Sequence, residues 1–246
     1  MSWPNLPRLF VLLVGLPASV ALVHGFRAPK DEAKDGAPKV TSSHPERAAS
    51  VLRVPHATGA LVADGMLDDP AWLRAPARTG VFVGSDGEPG RPHAEGRLLW
   101  NDTDLYIALY AADRDIRSST APPDGPLWFG GDAFELSFDV PGGQRKIEIS
   151  PDGKITDARL GPQGWDYAWQ SGVRLGHDVD GTINDTSDED EEWILEIAVP
   201  LSAIGLNGKK GERIGLRIRR CDSNPDGTRV CTGWGDGDSG AVLALD

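Results

Sequence analysis

Short runs in which apolar side chains occupy every second position dominate the chain from residue 51 onward. The alternation is clearest at 105–110 and 134–139, and it returns at 146–149, 193–199 and 216–219. Successive side chains of a β-strand point to opposite faces, so each run offers one face to a hydrophobic core and directs a polar second face outward. The pattern therefore predicts strands rather than helices through most of the chain.

Turn-forming Pro, Gly, Asn and Asp separate these runs at 101–102, 141–143, 151–153 and 207–208. Such residues favour the tight turns that join antiparallel strands. A sandwich of about 200 residues is an ordinary size for one domain. We predict an all-β fold, an antiparallel β-sandwich that forms a single domain over residues 51–246. Helical structure is expected only in two short segments, 69–75 and 201–204.

The first 50 residues differ in composition from the rest. An apolar stretch at 9–23 follows a single early cation, Arg8, and its length suits the core of an export signal better than a spanning helix. We predict a signal peptide at 1–26, with an uncleaved amino-terminal anchor, the one expected membrane contact, as the alternative. Residues 27–50 contain almost no large apolar side chain and are predicted to be a disordered linker. In either case the domain is expected outside the cytoplasm: periplasmic, secreted or anchored at its amino terminus.

The balance of charge excludes one class of partner. The sequence contains 25 Lys and Arg against 37 Asp and Glu, a formal net charge of −12. An acidic protein repels the phosphate backbone of DNA and RNA. We therefore expect no nucleic-acid partner.

Two cysteines, Cys221 and Cys231, flank a segment with the composition of a hairpin loop. Pairing Asn224 with Thr228 at the ends of that loop places the cysteines opposite each other on neighbouring strands, within the distance that a disulfide spans. A redox or metal-binding pair usually shows a closer, two-residue spacing. We predict a disulfide, which agrees with export to an oxidising compartment.

Short motifs follow one another in a distinctive order along the domain, at 64–72, 98–113, 128–139, 144–153, 192–200, 214–220 and 234–245. The first reads Asp-Gly-Met-Leu-Asp-Asp-Pro-Ala-Trp, and the third has a tryptophan and an acidic residue before a strand that carries a glutamate. In this order the motifs resemble the family 9 carbohydrate-binding modules of the DOMON-like β-sandwich superfamily.

The resemblance implies a sandwich of jelly-roll type, with a sugar stacked against tryptophan on one face. It implies an exported, non-catalytic module that binds a mono-, oligo- or polysaccharide and acts in carbohydrate catabolism beside separate hydrolases. The rival hypothesis is a sandwich that has lost its sugar and serves as a protein-interaction module at the surface or in the periplasm.

The resemblance also points to individual residues. Trp128 takes the place of a stacking tryptophan, and Glu135 that of a polar contact to the sugar. Lys146 and Glu148 share the face of Glu135 on the next strand, so we predict that they bind sugar hydroxyls, although the family has arginine and asparagine there. The structural alternatives are a loop-anchoring role for Trp128 and an ion pair of Glu135 with an arginine of 216–219.

Sugar-binding members hold the ring between two tryptophans, and the loop that carries the second one is shortened here, at 235–240. Trp165 or Trp169 is the expected substitute, and we include Trp169 among the predicted ligand-binding residues. Trp234 resembles the structural tryptophan that precedes this loop in the family.

Structural calcium is implied by the resemblance, but its ligands are not assigned by the sequence. The acidic run at 185–192 and the pair Asp68 and Asp69 are the candidates, since calcium takes six to eight oxygen ligands. The alternatives are a solvated loop for the run and helix capping for the pair.

Catalysis is not expected. A glycosidase needs two facing carboxylates, about 5 Å or about 6.5–9.5 Å apart according to mechanism, and the sequence offers no such pair and no nucleophile motif beside its five histidines. A haem-binding relative of the superfamily would need an axial methionine. Met66, which lies in the opening turn, is poorly placed for that role.

Overall fold

Two β-sheets pack face to face in the computed structural model, which describes residues 51–74, 76–127, 130–234 and 240–246. The signal or anchor predicted at 1–26 and the linker predicted at 27–50 lie outside these residues. Thirteen strands are present in the described part of the chain: β1 Val51–Val54, β2 Ala77–Val81, β3 Ala94–Trp100, β4 Asp104–Ala112, β5 Ala133–Val140, β6 Gly143–Ile149, β7 Ile155–Gly161, β8 Gly164–Asp166, β9 Arg174–Asp180, β10 Glu192–Pro200, β11 Arg213–Ser223, β12 Arg229–Trp234 and β13 Ala241–Leu245.

The larger sheet has the strand order β1-β13-β11-β5-β6-β7-β8, and the smaller has the order β2-β3-β4-β10-β9. Strand β11 is long enough to pair with β5 along one edge, while its other edge pairs first with β13 and then with β12. The predicted all-β sandwich is confirmed. One pair departs from the antiparallel pattern, because β1 runs parallel to β13.

Helical structure is confined to two short elements within the described residues. They are α1, Pro70–Arg74, and a 3₁₀ turn at Leu201–Ile204, and both fall where the sequence predicts helix. The 3₁₀ turn ends at Gly205, which has a φ of 78° and donates its backbone N–H to the turn. Glycine suits this left-handed position because it has no Cβ.

The core lies between the two sheets and follows the alternation of the sequence. Leu105, Ile107 and Leu109 of β4 are fully buried there, as are the apolar positions of β5, β6, β10 and β11. The phase of the pattern therefore predicts correctly which side chains of these strands point inward. Burial of such side chains is the main stabilising contribution in a fold of this kind.

The outer face of the smaller sheet differs from the prediction of polar second faces. Tyr106 and Ala108 of β4 are buried, because residues 57–72 fold across this face and pack Trp72 against it. The carboxylate of Glu196 on β10 is also buried, and it accepts a hydrogen bond of 2.6 Å from the indole Nε1 of Trp72. The prediction is thus wrong for β4 and β10, where the opening segment supplies a second, smaller apolar cluster.

A glycine allows this segment to approach the sheet closely. A Cβ at Gly176 of β9 would lie 2.1 Å from the backbone carbon of Asp64. No other residue fits at that contact without moving the segment away.

The disulfide predicted between Cys221 and Cys231 is present. The two residues face each other in the register of β11 and β12, and the Asn224 N–H donates to the Thr228 carbonyl at the loop end, as the sequence predicts. In the described parts of the chain, no helix is long and apolar enough to cross a membrane.

Candidate functional site

The outer face of the larger sheet carries rows of polar side chains that cross strands β11, β5 and β6. One row contains Arg219, Glu135 and Glu148. The neighbouring row, two residues along each strand, contains Arg217, Ser137 and Lys146. The structure therefore brings together three of the predicted site residues: Glu135, Lys146 and Glu148.

Glu135 is held by its neighbours within the sheet. Its Oε2 lies 3.2 Å from Nη2 of Arg219, and its Oε1 accepts a hydrogen bond of 3.3 Å from the Ser137 hydroxyl. The ion pair that the sequence leaves open is thus formed with Arg219. A carboxylate held in this way is fixed in orientation, which a sugar-binding group also requires.

Lys146 and Glu148 form an ion pair with a separation of 2.7 Å. Glu148 is 1% exposed, and this burial raises the pKa of its carboxyl group, although Lys146 opposes the shift. The Lys146 ammonium lies 5.3 Å from the ring of Trp165 and 5.8 Å from that of Tyr167. The buried carboxylate of Glu148 therefore fixes the position of the Lys146 ammonium, and Lys146 is the more exposed member of the pair.

A cleft of about 690 Å³ opens above these rows. Glu135, Ser137, Lys146 and Trp165 line it, together with residues of the segments 83–87 and 231–234. Trp165 on β8 is 39% exposed, so part of its ring surface is open to a ligand. Sugars bind where an aromatic plane contacts the CH face of the ring and fixed polar groups meet the hydroxyls.

Trp169 and Trp234 occupy different environments. The ring of Trp169 lies 5.3 Å from the guanidinium of Arg145, which shares the inward parity of Ile147 on β6, so the structure does not bring Trp169 to the cleft-lining face. Trp234 borders the cleft and packs against the core, in keeping with a structural tryptophan. Trp128 and the shortened loop at 235–239 lie outside the described residues, and the binding roles of Trp128 and Trp169 stay predictions.

Arg229 is a charged group of this face that the sequence analysis does not single out. It lies on β12 with the same outward parity as Cys231, and its charge interacts with the charges of Asp132, Arg219, Glu148 and Glu135. Its Nε and Nη2 atoms are buried and have no hydrogen-bond partner in the described structure. The alternation of side chains along β12 would identify Arg229 as a residue of this face, but only after the pairing of β12 with β11 is known.

A second hollow, of about 1020 Å³, lies beside the smaller sheet between residues 89–93 and 189–191. It is larger, but no tryptophan, tyrosine or phenylalanine is among the described residues that line it. The cleft at Trp165 therefore matches a sugar site better than this hollow does.

Among the described residues, one buried cluster of carboxylates has the spacing that metal ligands show. Carboxylate oxygens of Asp113, Asp132 and Asp222 lie within 4.8 Å of one another. However, Nη2 of Arg220 donates to Asp113 and Asp222 at 2.8 Å each, and Asp132 accepts from the backbone N–H groups of Arg117 and Ser223 at 2.6 and 2.7 Å.

These contacts do not fit calcium, the metal implied by the resemblance. Calcium needs six to eight oxygen ligands, whereas here the carboxylates are committed to protein donors and a guanidinium already supplies the positive charge. The cluster is an internal ion-pair network.

The other calcium candidates of the sequence also have structural contacts. Asp190, at the end of the acidic run, is buried and accepts backbone N–H groups of Ile116 and Thr182, each at 2.6 Å. Asp69 accepts the backbone N–H of Val62 at 2.8 Å, so its carboxylate fixes part of the opening segment.

Comparison with known proteins agrees with this description. The family model described as carbohydrate family 9 binding domain-like matches residues 63–238. A Bacteroides uniformis protein whose assignment to carbohydrate binding is provisional shares the fold with a TM-score of 0.61 and 13% identity, over 80% of this chain and 100% of that one.

Two structures of a family 9 carbohydrate-binding module from Caldicellulosiruptor kristjanssonii are also similar. The complex with cellotriose has a TM-score of 0.55 and 14% identity, over 80% of this chain and 94% of that one. The complex with glucose has a TM-score of 0.52 and 15% identity, over 79% and 95%. A search of curated proteins finds no match. Because the family model spans most of the domain, the chain belongs to the carbohydrate family 9 binding domain-like family.

Proposed function

We propose that the protein is an exported, non-catalytic carbohydrate-binding module that holds a sugar in the cleft at Trp165. The observation that carries this proposal is the position of an exposed aromatic ring beside fixed polar groups on one face of the sheet. Trp165 offers a stacking surface, while Glu135 and Lys146 are held by ion pairs and can bond sugar hydroxyls with little loss of side-chain entropy.

Membership of the family supports a binding role, and the Caldicellulosiruptor kristjanssonii relative was crystallised with cellotriose and with glucose. The Cys221–Cys231 disulfide supports a location outside the cytoplasm, where such bonds persist. In that location the module would present a mono-, oligo- or polysaccharide to separate hydrolases during carbohydrate catabolism.

Isothermal titration of the purified protein tests the proposal, with glucose, cellobiose, xylobiose and soluble polysaccharides as ligands. Trp165→Ala should weaken binding by roughly tenfold or more, since stacking on an aromatic ring contributes on the order of 1–2 kcal/mol. Leu73→Ala is the matched control, because Leu73 is an exposed apolar residue of α1 and its loss should leave binding unchanged.

Trp128→Ala and Trp169→Ala test the two remaining tryptophan predictions in the same assay. If the native protein and all of these variants bind sugar equally well, the cleft is not the binding site. If no ligand in the panel binds, the alternative function applies, and the sandwich is a protein-interaction module that has lost its sugar.

A further inference from the structure

The opening segment covers only part of the outer face of the smaller sheet. Residues 57–72 cover the part that contains Glu196, which is buried. The next row across the strands contains Glu95 of β3, Tyr110 of β4 and Ile194 of β10, and all three are only partly buried. A hollow of about 480 Å³ lies above this row. The hollow is thus a concave surface on the face of the sandwich opposite to the cleft.

Tyr110 gives this hollow an aromatic wall. Its hydroxyl donates a hydrogen bond to Glu192, and this bond, followed by burial, raises the pKa of Tyr110 to about 12. The imidazole of His93 packs beside it, with the ring centroids 5.9 Å apart and the planes inclined by 62°. Leu67 and Ile194 also line the hollow. These residues together offer aromatic and apolar surface to the CH groups of a ligand.

Glu95 supplies a carboxylate that is oriented but not saturated with hydrogen bonds. The cations around it are Nε2 of His93, Nη1 of Arg78 and Nη2 of Arg97, at 3.5, 3.8 and 3.9 Å. These separations exceed about 3.2 Å, the usual limit of an N–H···O hydrogen bond. The carboxylate oxygens therefore keep lone pairs that can accept hydroxyl groups of a ligand. Arg97, which also lines the hollow, carries N–H groups that can donate to them.

The backbone at the edge of the hollow is strained. Leu67 has a φ of 51°, in the left-handed region that a bulky side chain rarely adopts. Strained backbone is concentrated at sites that hold ligands. The position of Leu67 is therefore an observation that points to a binding site independently of the side-chain chemistry.

We propose that the hollow at Tyr110 is a second saccharide site, which takes a neutral sugar unit with its ring against Tyr110 and its hydroxyl groups on Glu95 and Arg97. The cleft at Trp165 lies on the outer face of the larger sheet, and stacked sheets are about 10 Å apart. The two sites open in opposite directions, so one domain can hold two saccharide chains. This inference goes beyond the proposed function, because it assigns a site with its own residues and gives the module the capacity to cross-link polysaccharide.

Isothermal titration with cellobiose and with xylobiose counts the sites. The native protein should bind two molecules of the disaccharide that it recognises. Trp165→Ala and Tyr110→Ala should each bind one molecule, and the double variant should bind none. Val62→Ala is the matched control, since Val62 is an exposed apolar residue of the opening segment, and it should still bind two.

Two further variants separate binding from folding. Glu95→Gln changes a partly exposed side chain, and it should weaken binding at the Tyr110 site by roughly tenfold, the order expected of a charge-assisted hydrogen bond. Tyr110→Phe keeps the ring and should retain two sites. Thermal unfolding of each variant establishes that it is folded.

Light scattering of the protein mixed with a soluble glucan or a soluble xylan tests the opposed geometry. Two sites on opposite faces should join separate chains, so the native protein should form large particles with the polysaccharide that it binds. Neither Trp165→Ala nor Tyr110→Ala should form them, because a single site cannot bridge two chains. Excess disaccharide should dissolve the particles by competition.

The other outcomes each decide a defined statement. A single site that is lost in Trp165→Ala overturns this inference and leaves the proposed function in place. A single site that is lost only in Tyr110→Ala supports the hollow as a sugar site and overturns the cleft. Two sites or large particles that persist in Tyr110→Ala place the second sugar elsewhere and overturn the inference. Absence of binding to every disaccharide and polysaccharide overturns both the inference and the proposed function.

Discussion

The indole Nε1 of Trp72 donates a 2.6 Å hydrogen bond to Oε1 of Glu196, and both residues are buried. The other carboxylate oxygen, Oε2, accepts the backbone N–H groups of Asp64 and Gly65 at 3.3 and 3.2 Å. One glutamate of β10 therefore satisfies three donors of the opening segment. The burial of Glu196 raises the pKa of its carboxyl group, and the three hydrogen bonds oppose that shift.

We expect Glu196→Ala to lower the free energy of unfolding by about 2–4 kcal/mol, because it leaves buried donors without an acceptor. Glu196→Gln should cost less, since one oxygen remains to accept the Trp72 N–H. Urea denaturation measures both, with Glu191→Ala at an exposed position as the control. A loss no larger in Glu196→Ala than in the control would show that the segment does not depend on this contact.

The disulfide closes a short loop between β11 and β12. Replacing Cys221 and Cys231 together by alanine should lower the free energy of unfolding by about 2–3 kcal/mol, the range expected for a loop of about ten residues. Thermal unfolding of the oxidised protein, the reduced protein and the double variant measures this effect. The reduced protein and the double variant should have the same unfolding temperature. An oxidised protein that is no more stable than either of them would contradict the prediction.

Asp132 should make stability depend on pH. Burial, followed by the charge of Asp113, raises the pKa of Asp132 from 3.8 to about 8, although the backbone N–H groups of Arg117 and Ser223 oppose the shift. The folded state therefore holds this proton more tightly than the unfolded state. The stability contribution is fully present below the unfolded pKa and is lost as the pH rises through the folded pKa.

We expect the free energy of unfolding to fall as the pH rises from the unfolded pKa of 3.8 to the folded pKa of about 8. The slope that Asp132 contributes is at most about 1.4 kcal/mol per pH unit. Asp132→Asn should flatten the dependence, whereas Asp178→Asn, at an exposed position of β9, should preserve it. Urea denaturation at a series of pH values provides the comparison. Identical slopes in the native protein and Asp132→Asn would show that Asp132 stays ionised.

Arg220 neutralises buried acidic groups at the end of β11. The side chain is 1% exposed and contacts both Asp113 and Asp222. Arg220→Met should lower the free energy of unfolding by about 3–5 kcal/mol, because it leaves buried carboxylates without their partner. Arg53→Met, an exposed substitution on β1, is the control in urea denaturation, and equal effects of the two substitutions would refute a role for the buried pair.

Since Arg220 supplies the positive charge of this cluster, the melting temperature should not depend on calcium. Thermal unfolding in the presence of a chelator and in the presence of calcium should give the same midpoint. A midpoint that rises with calcium would reveal a site outside the internal ion-pair network, because any ligand that binds only the folded state raises stability.

Local pattern was sufficient to predict several parts of the fold and of the candidate site. The shared face of Glu135, Lys146 and Glu148 follows from alternation in two strands joined by the tight turn at 141–142, which sets their register. The disulfide follows from the hairpin loop for the same reason. The binding roles of these residues remain predictions, since position on a face does not by itself identify a ligand.

Long-range packing decided the rest. Alternation marks Tyr106 and Ala108 as a second face, but only the path of residues 57–72 across the sheet makes that face buried. Similarly, sequence analysis named both Trp165 and Trp169 as substitutes for the missing aromatic residue, and only the meander of β6, β7 and β8 brings Trp165 to the cleft.

The sequence by itself determined the strand faces, the hairpin disulfide and the family resemblance, because these depend on residues near one another in the chain or on the order of motifs. The tertiary structure alone decided that β11 lies beside β5, so that Arg217 and Arg219 join Ser137 and Glu135 across the strands. Residues 213–223 and 133–140 are far apart in the chain. Their pairing depends on how the two sheets bury their apolar faces together, and no local pattern specifies it.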